Sequence, residues 1–227
     1  MKWSEFSKKK KTWIIIIGVL FVLWLIGTLS PDDNIQKDTA TESNNVSSNK
    51  NELVDSLKND SIKKSELKLV NAEIDKLKPK FNLKYDDIKK TTWVYPKSKP
   101  YYDNTLAFYL YLGISDEGQF WKRLVIRYHG DDWLFIKSII VKTDIDTYTV
   151  NASSSERDNN ADVWEWIDIV PGVNDNVMIE SIIKSKNIKV RFEGQKYYFD
   201  WNLGKKEVNA LSDVLNYYSL LEKRNQL

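Results

Sequence analysis

Residues 106–128 read LAFYLYLGISDEGQFWKRLVIRY, and their alternation sets the architecture. In an extended chain, successive side chains point to opposite sides. Leu106, Phe108, Leu110 and Leu112 therefore share one face, with Tyr109 and Tyr111 on the other. After the short loop Ser115–Gln119 the alternation resumes, placing Leu124, Ile126 and Tyr128 inward and Arg123 and Arg127 outward. Two such runs joined by a few turn-forming residues predict an antiparallel hairpin.

Working outward, Thr92-Trp93-Val94-Tyr95 is a short strand stopped by Pro96. Downstream, His129-Gly130-Asp131-Asp132 turns the chain into a longer strand, Trp133–Lys142, with Leu134, Ile136 and Ile140 on one face. Thr143–Asp146 leads to a fourth strand at Thr147–Val150, and residues 151–162 are polar enough for a loop. Val163–Val170 forms another strand. Asn174 can cap a short helix running to about Ser185, with Met178, Ile179, Ile182 and Ile183 apolar. Ile188, Val190 and Phe192 alternate, turn at Glu193-Gly194, and return as Lys196–Trp201. An amphipathic helix over Lys205–Lys223 closes the chain through Val208, Leu211, Val214, Leu215 and Tyr218. The expected fold is α+β: an antiparallel sheet of six to eight strands covered by helices.

Ahead of this domain, Trp13–Leu29 (WIIIIGVLFVLWLIGTL) carries no charge and follows four consecutive lysines, Lys8 to Lys11. Seventeen helical residues span about 26 Å, close to a bilayer core of about 30 Å. The exit, Gly27-Thr28-Leu29-Ser30-Pro31, lacks the small residues a signal-peptide cut requires, so an uncleaved anchor is expected. Residues 1–30 hold five lysines against one acid, Glu5, while Asp32 and Asp33 follow the apolar run. This asymmetry predicts a cytoplasmic N-terminus and a C-terminal part outside the cell membrane. The exported part then has 29 basic and 31 acidic residues. The overall charge of +2 is thus a topology signal and gives no reason to expect nucleic acid binding.

The resulting segmentation is a basic tail (1–12), a membrane helix (13–29), a polar flexible linker (30–51), a charged helix (52–79) and an α+β domain (80–227). The linker's Ser, Asn, Thr and Asp cannot bury enough apolar surface to offset chain entropy, although a glycosylated stalk has the same composition. Over 52–78, Leu67, Val70, Ile74 and Leu77 make one apolar stripe that ends at Pro79. It suits packing on the chain's own domain, with homodimerisation through a short coiled coil as the alternative.

The sequences Trp133–Ile136, Val163–Trp166 and Arg191-Phe192-Glu193-Gly194 through Asp200, with the final helix, resemble exported bacterial and phage domains of unknown activity held by a signal anchor or lipoprotein signal. The resemblance covers about residues 92–222 and implies no activity. With no cysteine, this chain lacks the lipidated residue of the lipoprotein members, and thiol chemistry is excluded.

Candidate sites follow from residue chemistry. His129, the single histidine, makes a general base if Asp131 or Asp132 orients it; turn formation explains the same HGDD. Asp144 with Asp146, and Glu165 with Asp168, are acid pairs at the spacing of glycosidase carboxylates or a hard cation, a pattern thirty acids also produce by chance. No metal site, cofactor or catalytic constellation is expected. Binding is the better-supported class. Trp164 and Trp166 flank Glu165 on one strand side, Tyr101-Tyr102 follow Pro100 in a loop, and Arg123 and Arg127 point outward. Burial in the core accounts for the two tryptophans more readily than binding does, and an ordinary solvated face for the two arginines. The functional expectation is therefore a non-enzymatic domain at the cell envelope that binds a protein partner. The alternatives are a cell-wall glycan module using these Trp and Tyr rings, whose test is exposure of Trp164 and Trp166, and a hydrolase of envelope polymers.

Overall fold

The computed structural model describes residues 45–227, with side chains from residue 58 onward. Trp13–Leu29 lies outside the described residues; among those described, no helix is long and apolar enough to cross a membrane.

The first described element is α1 (Asn45–Leu77), which starts within the stretch expected to be linker, so residues 45–51 are helical. Val70 and Ile74 of its apolar stripe are buried in the domain core, and Leu77 packs against that core. Leu67 is exposed. Three of the four stripe residues are thus taken up by the chain's own domain. A 3₁₀ turn, Lys78–Lys80, contains Pro79 and ends the helix.

Ten strands follow: β1 (Phe81–Asp86), β2 (Thr91–Pro96), β3 (Ala107–Ser115), β4 (Phe120–Gly130), β5 (Ser138–Lys142), β6 (Thr147–Asn151), β7 (Glu156–Asn159), β8 (Val163–Ile169), β9 (Lys189–Glu193) and β10 (Tyr198–Asn202). Helix α2 (Val173–Lys184) lies between β8 and β9, and α3 (Lys205–Gln226) closes the chain. The fold is α+β, as expected. However, the strands form two antiparallel sheets, one in the order β1-β2-β3-β4-β8-β7 and one in the order β10-β9-β5-β6.

One core joins both sheets and all three helices. Phe108, Leu110, Leu112, Leu124 and Ile126 face Ile139, Val141, Val190 and Phe192 in a single cluster. Tyr128 of the larger sheet meets Phe192 and Phe199 of the smaller, at ring separations of 5.8 and 5.3 Å. Helix α3 contributes Leu211, Val214, Tyr217 and Leu221, and Tyr217 meets Phe81 edge-on at 5.2 Å. The starts of α2 and α3 are each closed by the helix's own third residue: Asp175 accepts from the Gly172 N–H and Glu207 from the Gly204 N–H. Asn174 is therefore inside α2 and does not cap it.

Two strands were not expected. β1 buries only Phe81 along most of its length, so it shows no alternation, and β7 is exposed throughout. Both are edge strands with little apolar signal.

The expected strand Trp133–Lys142 is only half a strand; residues 133–137 carry no ladder. Glu165, fully buried, is the reason. Its Oε1 accepts the N–H groups of Leu134 (2.7 Å) and Phe135 (2.8 Å), and its Oε2 that of Ile136 (2.9 Å). Arg157 adds a fourth donor at 3.3 Å. Three successive N–H groups converging on one carboxylate cannot alternate as a strand requires, and Phe135 adopts φ 54° to aim them. From the other side, Gln195 N–H donates to the Leu134 carbonyl at 2.9 Å. Gly194 is needed there, because a Cβ would lie 2.3 Å from that carbonyl oxygen.

Candidate functional site

The outer face of the larger sheet, turned away from the core, is aromatic. Registers place Trp93 beside Gly113, Tyr111 beside Arg123, Tyr109 beside Val125, and Arg127 between Ala107 and Trp166. Tyr95 stacks on Tyr111 at 4.9 Å and 22°, and Trp93 meets Tyr111 and Trp121 at 5.7 Å each. The Trp121 ring lies across Gly113, where a Cβ would approach it to 2.4 Å. A side chain there would displace the indole, so glycine here serves ring packing.

Polar groups on this face are tightly held. Asp168 accepts from the Tyr111 hydroxyl at 2.7 Å and from Arg123 Nε at 2.8 Å, while Arg123 Nη2 donates to the Asp168 carbonyl at 2.8 Å. Burial pushes the Tyr111 and Tyr109 phenols well above their ordinary value; for Tyr111 the bond to Asp168 adds to the effect. Lys99 Nζ stands 5.7 Å from the centre of the Tyr109 ring, within cation–π range.

Arg127 does not point into solvent as its outward position suggested. It is buried, and all its bonds go to the loop preceding β3: Nε to the Thr105 carbonyl (2.9 Å), Nη2 to the Tyr102 carbonyl (3.1 Å) and Nη1 to Asp103 (3.0 Å). Arg123 is likewise held within the sheet. Neither guanidinium stands on a merely solvated face.

The loop clamped by Arg127 presents Tyr101 and Tyr102. They are 88% and 66% exposed and touch each other edge-on at 4.9 Å. Trp164 and Trp166 share the sheet face as expected, but Trp164 is buried at 8% exposure and only Trp166 keeps part of its ring open. All six candidate binding residues, Tyr101, Tyr102, Arg123, Arg127, Trp164 and Trp166, thus lie on this face or in the loop attached to it.

The acid pairs do not converge. Glu165 and Asp168 lie on opposite faces of β8, one binding the 134–136 backbone and the other Arg123. Asp144 accepts from the N–H groups of Lys186 and Asn187 and from the Asn187 amide, and Asp146 accepts from the Thr147 N–H. His129 belongs to β4, opposite Trp164, and its Nε2 is 3.2 Å from Asp162, not Asp131 or Asp132. Among the described residues, no group of three or more His, Cys, Asp or Glu is arranged to hold a metal ion.

Trp93, Tyr95, Trp121 and Asp168 complete the face and were not among the expected binding residues. The signal of the three rings is present as aromatic residues on three successive strands, in phase with Tyr109 and Tyr111. No family model, curated protein or solved structure matches this chain.

Proposed function

We propose that the chain is a single-pass membrane protein, anchored by residues 13–29, whose domain outside the cytoplasm binds a protein partner at the cell envelope without catalysing a reaction. One observation carries the binding reading. A buried guanidinium, Arg127, holds a loop by three hydrogen bonds, two to backbone carbonyls and one to the Asp103 carboxylate, and that loop projects two largely exposed tyrosine rings. Rigid exposed tyrosines are effective anchors because they bury large area while losing little side-chain entropy. The adjoining Trp166 and the polar rim of Asp103 and Lys99 have the composition of a protein-binding surface. The charge asymmetry around the apolar N-terminal run supports the location.

The test is a photo-cross-linking amino acid placed at Tyr102 of the full-length chain in its native membranes, with Tyr198, on the smaller sheet, as the control position. The expected result is a discrete protein adduct from position 102 that is absent from position 198 and weakened by Arg127→Met. Identical adducts from both positions would count against this face. No protein adduct, with the domain sedimenting on isolated wall polymer, would replace the protein partner with a glycan.

A further inference from the structure

The outer face of the smaller sheet carries a groove of about 690 Å³, within the size range of small-molecule sites. Its lining includes four cations, Lys142, Lys186, Lys189 and Arg191, against one carboxylate, Asp144. Across the four strands one row reads Asn202, Lys189, Lys142, Thr147. Two lysines are therefore direct cross-strand neighbours on the same face. Like charges in that position destabilise a sheet, so folding alone gives no reason for the pair.

Neighbouring charges relieve it only in part, and only at Lys189. Asp200 is held bidentately by Arg191 at 2.6 and 2.9 Å and reaches Lys189 only at 3.8 Å. Asp144 is occupied by the Lys186 and Asn187 N–H groups. Among the described residues, no carboxylate lies within ion-pair distance of Lys142 or Lys186. Between the cations, Ile140, Ile188 and Leu203 supply apolar surface.

We propose that this groove binds a phosphate ester, with the phosphate between Lys142 and Lys189 and its carbon portion against Ile140 and Leu203. Ammonium groups bind phosphate as mobile point charges, and an anion between them offsets the mutual repulsion of the two lysines. The ester is either a soluble molecule or the headgroup of an anionic lipid. This site is separate from the aromatic face and does not depend on its reading.

Two measurements on the full-length chain test it. The first is calorimetric titration with glycerol 3-phosphate in zwitterionic detergent. The second is reconstitution into phosphatidylcholine vesicles containing a headgroup-photoactivatable phosphatidylglycerol, with mapping of the labelled peptides. The variants are Lys142→Gln with Lys189→Gln, and Lys184→Gln as a control outside the groove. Saturable binding of glycerol 3-phosphate, weakened about tenfold or more in the double variant and unchanged in the control, assigns a soluble ester. Labelling of residues 138–142 and 186–191 that is lost in the double variant, without soluble binding, assigns a lipid headgroup. The double variant should also melt at an equal or higher temperature, so lost binding is not lost folding. Absence of both signals overturns the proposal, as does an equal loss in Lys184→Gln.

Discussion

Tyr111 and Tyr198 both stand on outward-facing positions of antiparallel strands, yet Tyr111 is 7% exposed and Tyr198 58%. The difference lies in what covers each face. Over the larger sheet, Trp93 and Tyr95 pack against Tyr109 and Tyr111, which make a small second core with Ala107 and Val125. Over the smaller sheet no such aromatic cover is found among the described residues; the Arg191 guanidinium lies 4.0 Å from the Tyr198 ring centre. Alternation therefore assigns a residue to a face but does not say whether that face is wet. The outer face of the larger sheet adds to stability, and that of the smaller sheet is a charged, open surface.

The sharpest way to break this comparison is a pair of truncations. Tyr111→Ala should cost about 3–5 kcal/mol, because it empties a packed aromatic cluster and frees Asp168 from a hydrogen bond. Tyr198→Ala should cost no more than about 0.5 kcal/mol. Urea denaturation of both variants checks this, and equal costs would show that the two faces are energetically alike.

Arg127→Met comes next, at about 1–3 kcal/mol, since it leaves the Tyr102 and Thr105 carbonyls without their buried donor. Amide hydrogen exchange should rise across residues 101–105 and stay unchanged in the smaller sheet. Uniform acceleration everywhere would mean that Arg127 supports the whole fold rather than the loop.

The faces should also respond to opposite ends of the pH scale. The Tyr109 and Tyr111 phenols are raised above their ordinary value of 10.0, first by burial. Folding thus favours their protonated form, and the stability they contribute is complete below pH 10 and lost as pH rises above it. Phenolate absorbance and unfolding should appear together for these residues. On the smaller sheet, the Arg191 guanidinium holds Asp200 below its ordinary 3.8, and the Lys186 and Asn187 N–H groups do the same for Asp144. Their contribution is complete above pH 3.8 and lost as pH falls through the lowered values.

Asp200→Asn should also have a small effect. Partial exposure of this ion pair limits its cost at neutral pH to about 1 kcal/mol or less. The difference from the parent should shrink in high salt and vanish at low pH, by thermal melting. A difference that survives acid would mean that packing of the side chain, not its charge, is what matters.

Much of this was visible along the chain. Strands β2, β3, β4, β6, β8, β9 and β10 and both C-terminal helices follow from alternation, helical periodicity and the turns at Ser115–Gln119 and Gly194. Residues whose signal needs a partner were not visible. β1 and β7 are edges with little or nothing buried to mark them. Arg127 reads as outward and polar until the loop bends back over it. Trp164 reads as core or as a binding residue, and β4 and β7 on either side of it decide for burial. The six candidate binding residues could be named singly, but their convergence on one face depends on strand order.

Glu165 shows the limit most clearly. In the sequence it figures only as one half of an acid pair with Asp168, on the strand side opposite Trp164 and Trp166. It points inward, and the backbone of residues 134–136, some thirty positions earlier, wraps around its carboxylate. The sequence by itself determined which side chains share a face, because that depends only on backbone geometry between near neighbours. The division into two sheets, the drying of one outer face and the folding of a loop around Glu165 were decided by tertiary structure. Burial and hydrogen bonding there depend on groups far apart in the chain.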